Sequence, residues 1–360
     1  MLGGIAAAFA IILFVTAHEA GHFFAAKAVG MKVTQFFFGF GPKIWSTQRG
    51  ETEYGFKWLP LGGYVRIVGM NPLEEVEPGD LGRTYREKKF WEKSVVVLAG
   101  VGMNFLIAFV MFYGIVLAVG VPGDPTTEVG FVVEDSPAAA AGLEEGDVIV
   151  EVGQFEVVEW TDMTSALEGI GPGETTVVVE RDGTEVALEV DLVEHETIEG
   201  AGFLGVSTVR EQVNTGPIES IGYAGRAVWT GIGQTFEILF NMFRPSSFAQ
   251  YLGVFVGDTD VPDEIRPVSP IGIVSIGAQI EDVAFFVGIL ASVNVILATI
   301  NLLPLFPLDG GHFAVALYEK VSGRQANVRR LAPIAAMVIG LFAFLGFVAI
   351  ILDVTNPINL

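Results

Sequence analysis

The chain has no cysteine among its 360 residues and only four histidines. Disulfides are therefore excluded, and a metal site would have to be built from imidazole, carboxylate or carbonyl donors. Positive charge is also scarce: 20 Lys and Arg stand against 42 Asp and Glu, a formal net charge of −22, and no nucleic-acid partner is expected of such a chain. Apolar side chains are abundant instead. They make up 51% of the residues, and the mean hydropathy of +0.54 points to a membrane protein before any motif is considered.

A bilayer span needs about 20 largely apolar residues to cross ~30 Å of hydrocarbon. Four stretches have the length: 2–25, 94–121, 284–305 and 331–352. A fifth, 221–243, is interrupted by Arg226, Gln234, Glu237 and Asn241. The first stretch has no Lys or Arg ahead of its apolar run and no small-residue cleavage signature after it, so it is expected to be a retained span and not a signal peptide.

The few cations are unevenly placed. Residues 25–94 carry eleven Lys or Arg, and 318–330 carry Lys320, Arg324, Arg329 and Arg330. Residues 122–220 hold only Arg181 and Arg210 among more than twenty carboxylates. Basic loops remain on the cytoplasmic side, which puts 25–94 and 318–330 inside and the acidic segment outside. Four spans satisfy this arrangement. Counting 221–243 as a fifth would move 318–330 outside, so 221–243 is expected to be an amphipathic or partly embedded helix on the outer side.

Within the basic segment, aromatic and β-branched residues alternate with Gly and Pro across 33–66, a pattern of short strands and tight turns. Non-helical backbone enters a membrane only where protein or a watery cavity surrounds it. In the acidic segment, strands are expected at 175–180 and 185–192, joined by Asp182-Gly183. The run from Ser136 and Pro137 through Gly142, Leu143, Gly146, Asp147 and Ile149 resembles PDZ domains, which bind peptide ends by adding a strand to a sheet edge.

The sharpest signal is His18-Glu19-Ala20-Gly21-His22 in the first span. Residues four apart share a helix face, so both imidazoles can reach one metal while Glu19 stands beside them as a candidate general base. Three polar side chains inside an apolar span are costly unless they have partners or a function. The bland alternative is a polar seam between packed helices. Catalytic zinc keeps three protein ligands and an open position, and Asp309, just past the third span, is the best candidate for the third. His18 lies 16 residues beyond Leu2, ~24 Å along a helix, and so toward the inner face that Asp309 also approaches. An Asp at a helix end is otherwise a cap or turn residue. His312 follows the same turn and could orient Asp309, or could cap the helix; His195 reads as an ordinary surface residue.

These motifs resemble the site-2 proteases, specifically the bacterial PDZ-containing kind similar to the regulator of sigma-E protease. The resemblance covers nearly the whole chain: the zinc motif on the first span, the Leu308-Asp309-Gly310 motif, the Pro60-Leu61-Gly62-Gly63-Tyr64 loop, and a PDZ-like segment between the second and third spans. It departs at Phe306 and Pro307, where the family's spacing puts the second proline at 306. It implies zinc held by His18, His22 and Asp309, with Glu19 activating water. The segment 99–105 resembles the family's second-span motif, whose asparagine, here Asn104, would stabilise the reacting carbonyl or hold the substrate; buried helix packing is the alternative. Gly62, Gly63 and Asn301 are further candidates for holding substrate.

The fold expected is a polytopic α-helical membrane protein of about four transmembrane helices, with a membrane-associated β-hairpin segment and one extracytoplasmic α+β PDZ domain. Its divisions are expected at 1–121 (with the β-loop 33–66), 126–192 for the PDZ domain, 193–283 for an outer amphipathic or linker region, and 284–360. The expected activity is zinc-dependent hydrolysis of peptide bonds within the transmembrane segments of single-span proteins, such as anti-sigma factors, in the inner membrane with the active site near the cytoplasmic face. The competing reading is a non-catalytic PDZ scaffold or receptor, which leaves the ligand spacing of His18 and His22 unexplained. A transporter would favour internal repeats, and none is visible. The orientation has a direct check: an impermeant reagent added to intact cells should leave Lys320 unlabelled and should label a cysteine introduced at Glu174, and labelling of Lys320 from outside would refute the four-span arrangement.

Overall fold

The computed structural model describes residues 2–71, 74–195, 198 and 200–358, and for residues 60, 61, 328 and 329 the backbone alone. The outermost ends expected for the two membrane segments, at 1 and 360, lie outside the described residues. The chain forms two compact units, one of Met1–Ala118 with Gly216–Leu360 and one of Val119–Thr215.

In chain order the first unit begins with α1 (Leu2–Ala28), β1 (Val33–Arg49), β2 (Thr52–Ile67) and α2 (Phe90–Val119). The second comprises β3 (Val121–Val132), α3 (Pro137–Ala141), β4 (Val148–Val152), β5 (Phe155–Glu156), α4 (Trp160–Ile170), β6 (Gly173–Arg181), β7 (Thr184–Glu194), β8 (Gly202–Phe203) and β9 (Val206–Val213). The first unit resumes with α5 (Pro217–Met242), α6 (Pro245–Val254), α7 (Pro270–Gln279), α8 (Val283–Leu302), α9 (Asp309–Ser322) and α10 (Val328–Thr355).

Four helices are long and apolar enough to cross a membrane: α1, α2, α8 and residues 330–355 of α10. Among the described residues α5 is not one of them, despite its 26 residues. The third span stops at Leu302, three residues short of the hydropathy boundary. Leu303 adopts φ −58° and ψ 137°, because the ring of Pro304 drives the preceding residue out of the helical region. At the end of α1 the chain turns at Gly30, with φ 71°, and the Met31 N–H reaches back to the Ala26 carbonyl at 2.8 Å, a glycine-closed helix end.

Small residues let the helices approach closely, as membrane helices require for dispersion contact. Gly3 and Gly4 of α1 stand against Gly277 and Val274 of α7, and a Cβ at Gly21 would lie 2.5 Å from the Ala99 carbonyl oxygen of α2. Asp353, buried in α10, accepts the Ser269 N–H at 2.8 Å ahead of α7 and lies 3.7 Å from the Arg266 guanidinium.

The β1–β2 hairpin is folded back on itself. Residues 35–38 pair with 53–56 on one side and with 63–66 on the other, because β2 bends where Gly62 takes φ 103°. This leaves 63–67 as an outer strand lying along α1. The hairpin turn is tied to the end of α1 by Glu51, which accepts from Lys27 Nζ at 2.7 Å and Arg83 Nη2 at 2.9 Å. The hydrogen bonds from Arg83 and Lys27 hold the Glu51 carboxyl at about 2. Its folded value is depressed, so this tie is present above the ordinary carboxylate range and is lost as pH falls toward 2.

The second unit is a seven-stranded sheet in the order β8-β7-β6-β4-β3-β9, with β5 beside β4. Its core includes Val129, Ile149, Val152, Val177, Val179 and Leu192. The β6–β7 turn places Asp182 at φ 54° and Gly183 at φ 76°, the geometry an Asp-Gly hairpin turn prefers. Ser136 caps α3 by accepting the Ala139 N–H at 3.2 Å, and Gly142 closes it in the left-handed conformation. Asp147 accepts from Arg181 Nε and Nη2, each at 2.7 Å, and the Arg181 hydrogen bonds hold its carboxyl below the usual range.

Candidate metal centre

His18 and His22 project from one face of α1, as their i, i+4 spacing requires, and both are buried. Asp309 starts α9, after a turn held by the hydrogen bonds Leu308 N to Leu305 O (2.8 Å) and Gly311 N to Leu308 O (2.9 Å). That turn depends on Gly310 and Gly311, where a side chain would run into backbone atoms of residues 302–306. It aims the Asp309 carboxylate at the two rings.

Three atoms converge there. His18 Nε2 and His22 Nε2 are 3.1 Å apart, and Asp309 Oδ2 is 3.1 Å from the first and 3.2 Å from the second. Despite these distances, Asp309 Oδ2 makes no well-aligned hydrogen bond. The reason is visible at His22, whose Nδ1 lies 2.8 Å from the Val96 carbonyl oxygen. A carbonyl only accepts, so the ring proton is on Nδ1 and the Nε2 lone pair faces the other two atoms. His22 Nε2 and Asp309 Oδ2 are thus acceptors facing each other, a meeting that a shared cation, or a proton on His18 Nε2, whose ring has no partner at Nδ1, relieves. Tetrahedral zinc with bonds of about 2.0–2.1 Å separates its ligand atoms by roughly 3.3–3.4 Å, close to the spacing found, and the all-N/O donor set suits it. Among the described residues this is the one group of three or more His, Asp or Glu side chains placed to hold a metal.

The cluster opens into a cavity of about 290 Å³ that Glu19, Val65, Asn301 and His312 help to line. Glu19 lies against β2, where a Cβ at Gly63 would touch Glu19 Cγ at 3.4 Å and Val65 lines the same cavity. Gly62 lies beside Phe40 and Val15. Asn301 donates to the Leu297 carbonyl at 3.0 Å while facing the cavity. Asn104 is not among the cavity-lining residues. It is buried between α2 and α8, where its carbonyl accepts from Asn294 Nδ2 at 2.8 Å and its own Oδ1 has no partner. His312 packs its ring 4.8 Å from that of Phe306, and burial pushes its imidazole below its ordinary value. His195 is in the second unit, its ring 5.7 Å from Phe203.

Two positioning groups were not foreseen from the motif. The Val96 carbonyl fixes the His22 tautomer, and Gly100 leaves the space the His22 ring occupies, since a Cβ there would overlap it.

With this geometry in view, the comparisons with known proteins decide the family. The profile described as peptidase family M50 matches residues 6–347. The chain belongs to peptidase family M50. Zinc metalloprotease Rip1 of Mycobacterium tuberculosis is 34% identical over 98% of this chain and 97% of its own. Rip1 of Mycolicibacterium smegmatis is 33% identical over 100% and 98%, and zinc metalloprotease RasP of Shouchella clausii is 29% identical over 96% and 94%. The M50 match runs through both segments that supply the converging atoms, α1 and the start of α9.

Replacing Gly100 with alanine tests the packing of this M50 site. The added methyl meets the His22 ring and not backbone, so the protein should insert and fold with that ring displaced, and zinc affinity should fall at least about 10–100-fold, the usual effect of disturbing a ligand's support. Equilibrium dialysis against a zinc buffer checks this, and unchanged affinity would contradict the placement of His22.

Proposed function

We propose that this chain is an intramembrane zinc metalloprotease of the site-2 type, with zinc held by His18, His22 and Asp309 and with Glu19 as general base and acid. The observation that carries this reading is the convergence of two buried imidazole nitrogens and the Asp309 carboxylate oxygen beside Glu19 on a candidate membrane span. Membership of family M50 and the zinc metalloprotease names of relatives aligned over nearly their full length support it.

Zinc, when bound, supplies the Lewis acidity that polarises a scissile carbonyl and brings the pKa of a water toward ~7. Glu19 then takes the proton of the attacking water and returns it to the leaving amide nitrogen. A transmembrane helix hides its carbonyls in its own hydrogen bonds, so a substrate must unwind before it is cut. The outer strand 63–67 offers backbone groups to such an unwound segment, and Gly63 keeps side-chain bulk away from Glu19. Asn301, on the cavity wall, is placed to hold a substrate amide; Asn104 would reach the substrate only if α2 and α8 part around it.

The substrates are single-span membrane proteins, with anti-sigma factors as the proposed class. The protein resides in the inner membrane, and the distribution of basic residues argues for an active site near the cytoplasmic face and a second unit outside. We assign that unit to the PDZ class on the Ser136–Asp147 sequence and its mixed strand and helix content, with the role of filtering substrates by the size of their outer portion.

The Glu19→Gln variant separates chemistry from metal binding. Cleavage of a model single-span substrate should fall by about 10²–10⁴-fold with zinc content unchanged. A variant that cuts at the wild-type rate would remove Glu19 from the mechanism.

A further inference from the structure

A second cavity, of about 300 Å³, shares Met70 and His312 with the cavity at the metal cluster. Lys93 in the first turn of α2 and Leu331 near the start of α10 both line it. Because α2 and α10 are candidate membrane spans, the cavity sits where two spans leave the hydrocarbon, at the depth of lipid headgroups.

Its charge is unbalanced. Arg86, Lys93 and Arg324 line it against a single carboxylate, Glu319, and both Glu319 oxygens are engaged. Oε2 accepts from Lys93 Nζ at 3.0 Å, and Oε1 accepts from the Ala326 N–H at 3.2 Å. Arg86 donates to the carbonyls of Gly69 (3.2 Å), Asn71 (2.6 Å) and Glu74 (2.9 Å), groups that hold its guanidinium without neutralising it. Among the described residues neither Arg86 nor Arg324 makes an ion pair. A separate observation points to a ligand: Tyr85, also on the cavity wall, is only 7% exposed and its hydroxyl has no hydrogen-bond partner. A buried donor without an acceptor is unfavourable, and an anionic oxygen would satisfy it.

We propose that this cavity binds a phosphate-bearing anion between the Arg86 and Arg324 guanidinium groups and the Tyr85 hydroxyl, supplied by the headgroup of an anionic lipid or by a free phosphate compound. Basic pockets between membrane helices on the cytoplasmic side are suited to anionic headgroups. The site is also joined to the metal centre, because α9 carries Asp309 in its first turn, His312 on the wall of both cavities and Glu319 in its last turns. An anion drawn into this cavity would steady the helix that presents Asp309.

The test uses the full-length protein in a neutral detergent and reads binding, not proteolysis, so it is independent of the catalytic assignment. Native mass spectrometry after mixing with phosphatidylglycerol or phosphatidylcholine should show retention of the anionic lipid and little of the zwitterionic one. Arg324→Gln, an exposed position, should reduce that retention about fivefold, the effect of one cation near an anionic headgroup. Tyr85→Phe, which removes only the hydroxyl, should reduce it as well. Inorganic phosphate that raises the melting temperature and displaces the lipid would identify free phosphate as the source; retention of phosphatidylglycerol with no response to phosphate would identify the lipid. Equal retention by the wild type and both variants, with no stabilisation by phosphate, would overturn the proposal.

Discussion

The His22 Nε2 lone pair faces the Asp309 carboxylate at 3.2 Å with His18 Nε2 3.1 Å from both, and burial between apolar helices removes the water that would otherwise screen their repulsion. Much of the membrane unit is arranged to bring about and support this convergence. Gly21 and Gly100 let α1 and α2 come close enough for the Val96 carbonyl to hold the His22 ring. The glycine turn before α9 then delivers Asp309 from another part of the chain. A divalent cation held here would turn that repulsion into attraction and would couple folding to metal binding.

The β1–β2 hairpin serves the same centre from the other side. Its outer strand lies against Glu19 at Gly63, and the Glu51 tie to Lys27 and Arg83 anchors its far turn on the end of α1. Because residues 35–38 are paired on both sides, 63–67 is left as the outer strand beside Glu19. The hairpin thus lays one strand edge against Glu19 and Val15 of α1, the edge that the proposed function assigns to an unwound substrate.

What was legible in the sequence follows from the range of each interaction. The four spans could be read because hydropathy is summed over some twenty residues, and the third was overrun by three only because a proline's effect falls on its predecessor. His18 and His22 could be read because a helix fixes their geometry within one turn. Asp309 stood out because it lies just past the end of the third span, in Leu308-Asp309-Gly310. The Val96 carbonyl could not be read, since every helical residue has one and only the approach of α1 selects it. The double pairing of 35–38 was likewise hidden, as it depends on a bend at Gly62 and not on the alternation of residues. The pairing of β9 with β3, such as Phe131 with Ser207, joins strands far apart in sequence, and neither advertises the other. Asn104 could be recognised as buried, but its place in the α2–α8 contact, away from the cavity wall, comes from tertiary packing.

The central claim is that His18, His22 and Asp309 share one zinc ion. X-ray absorption at the zinc edge on purified protein measures that coordination directly. The wild type should show a single zinc surrounded by nitrogen and oxygen only, with the multiple-scattering signature of two imidazoles, and the Asp309→Ala variant should lose the metal or show a changed shell. A wild-type protein that cleaves substrate without zinc, or an Asp309→Ala spectrum identical to the wild type at equal occupancy, would contradict it.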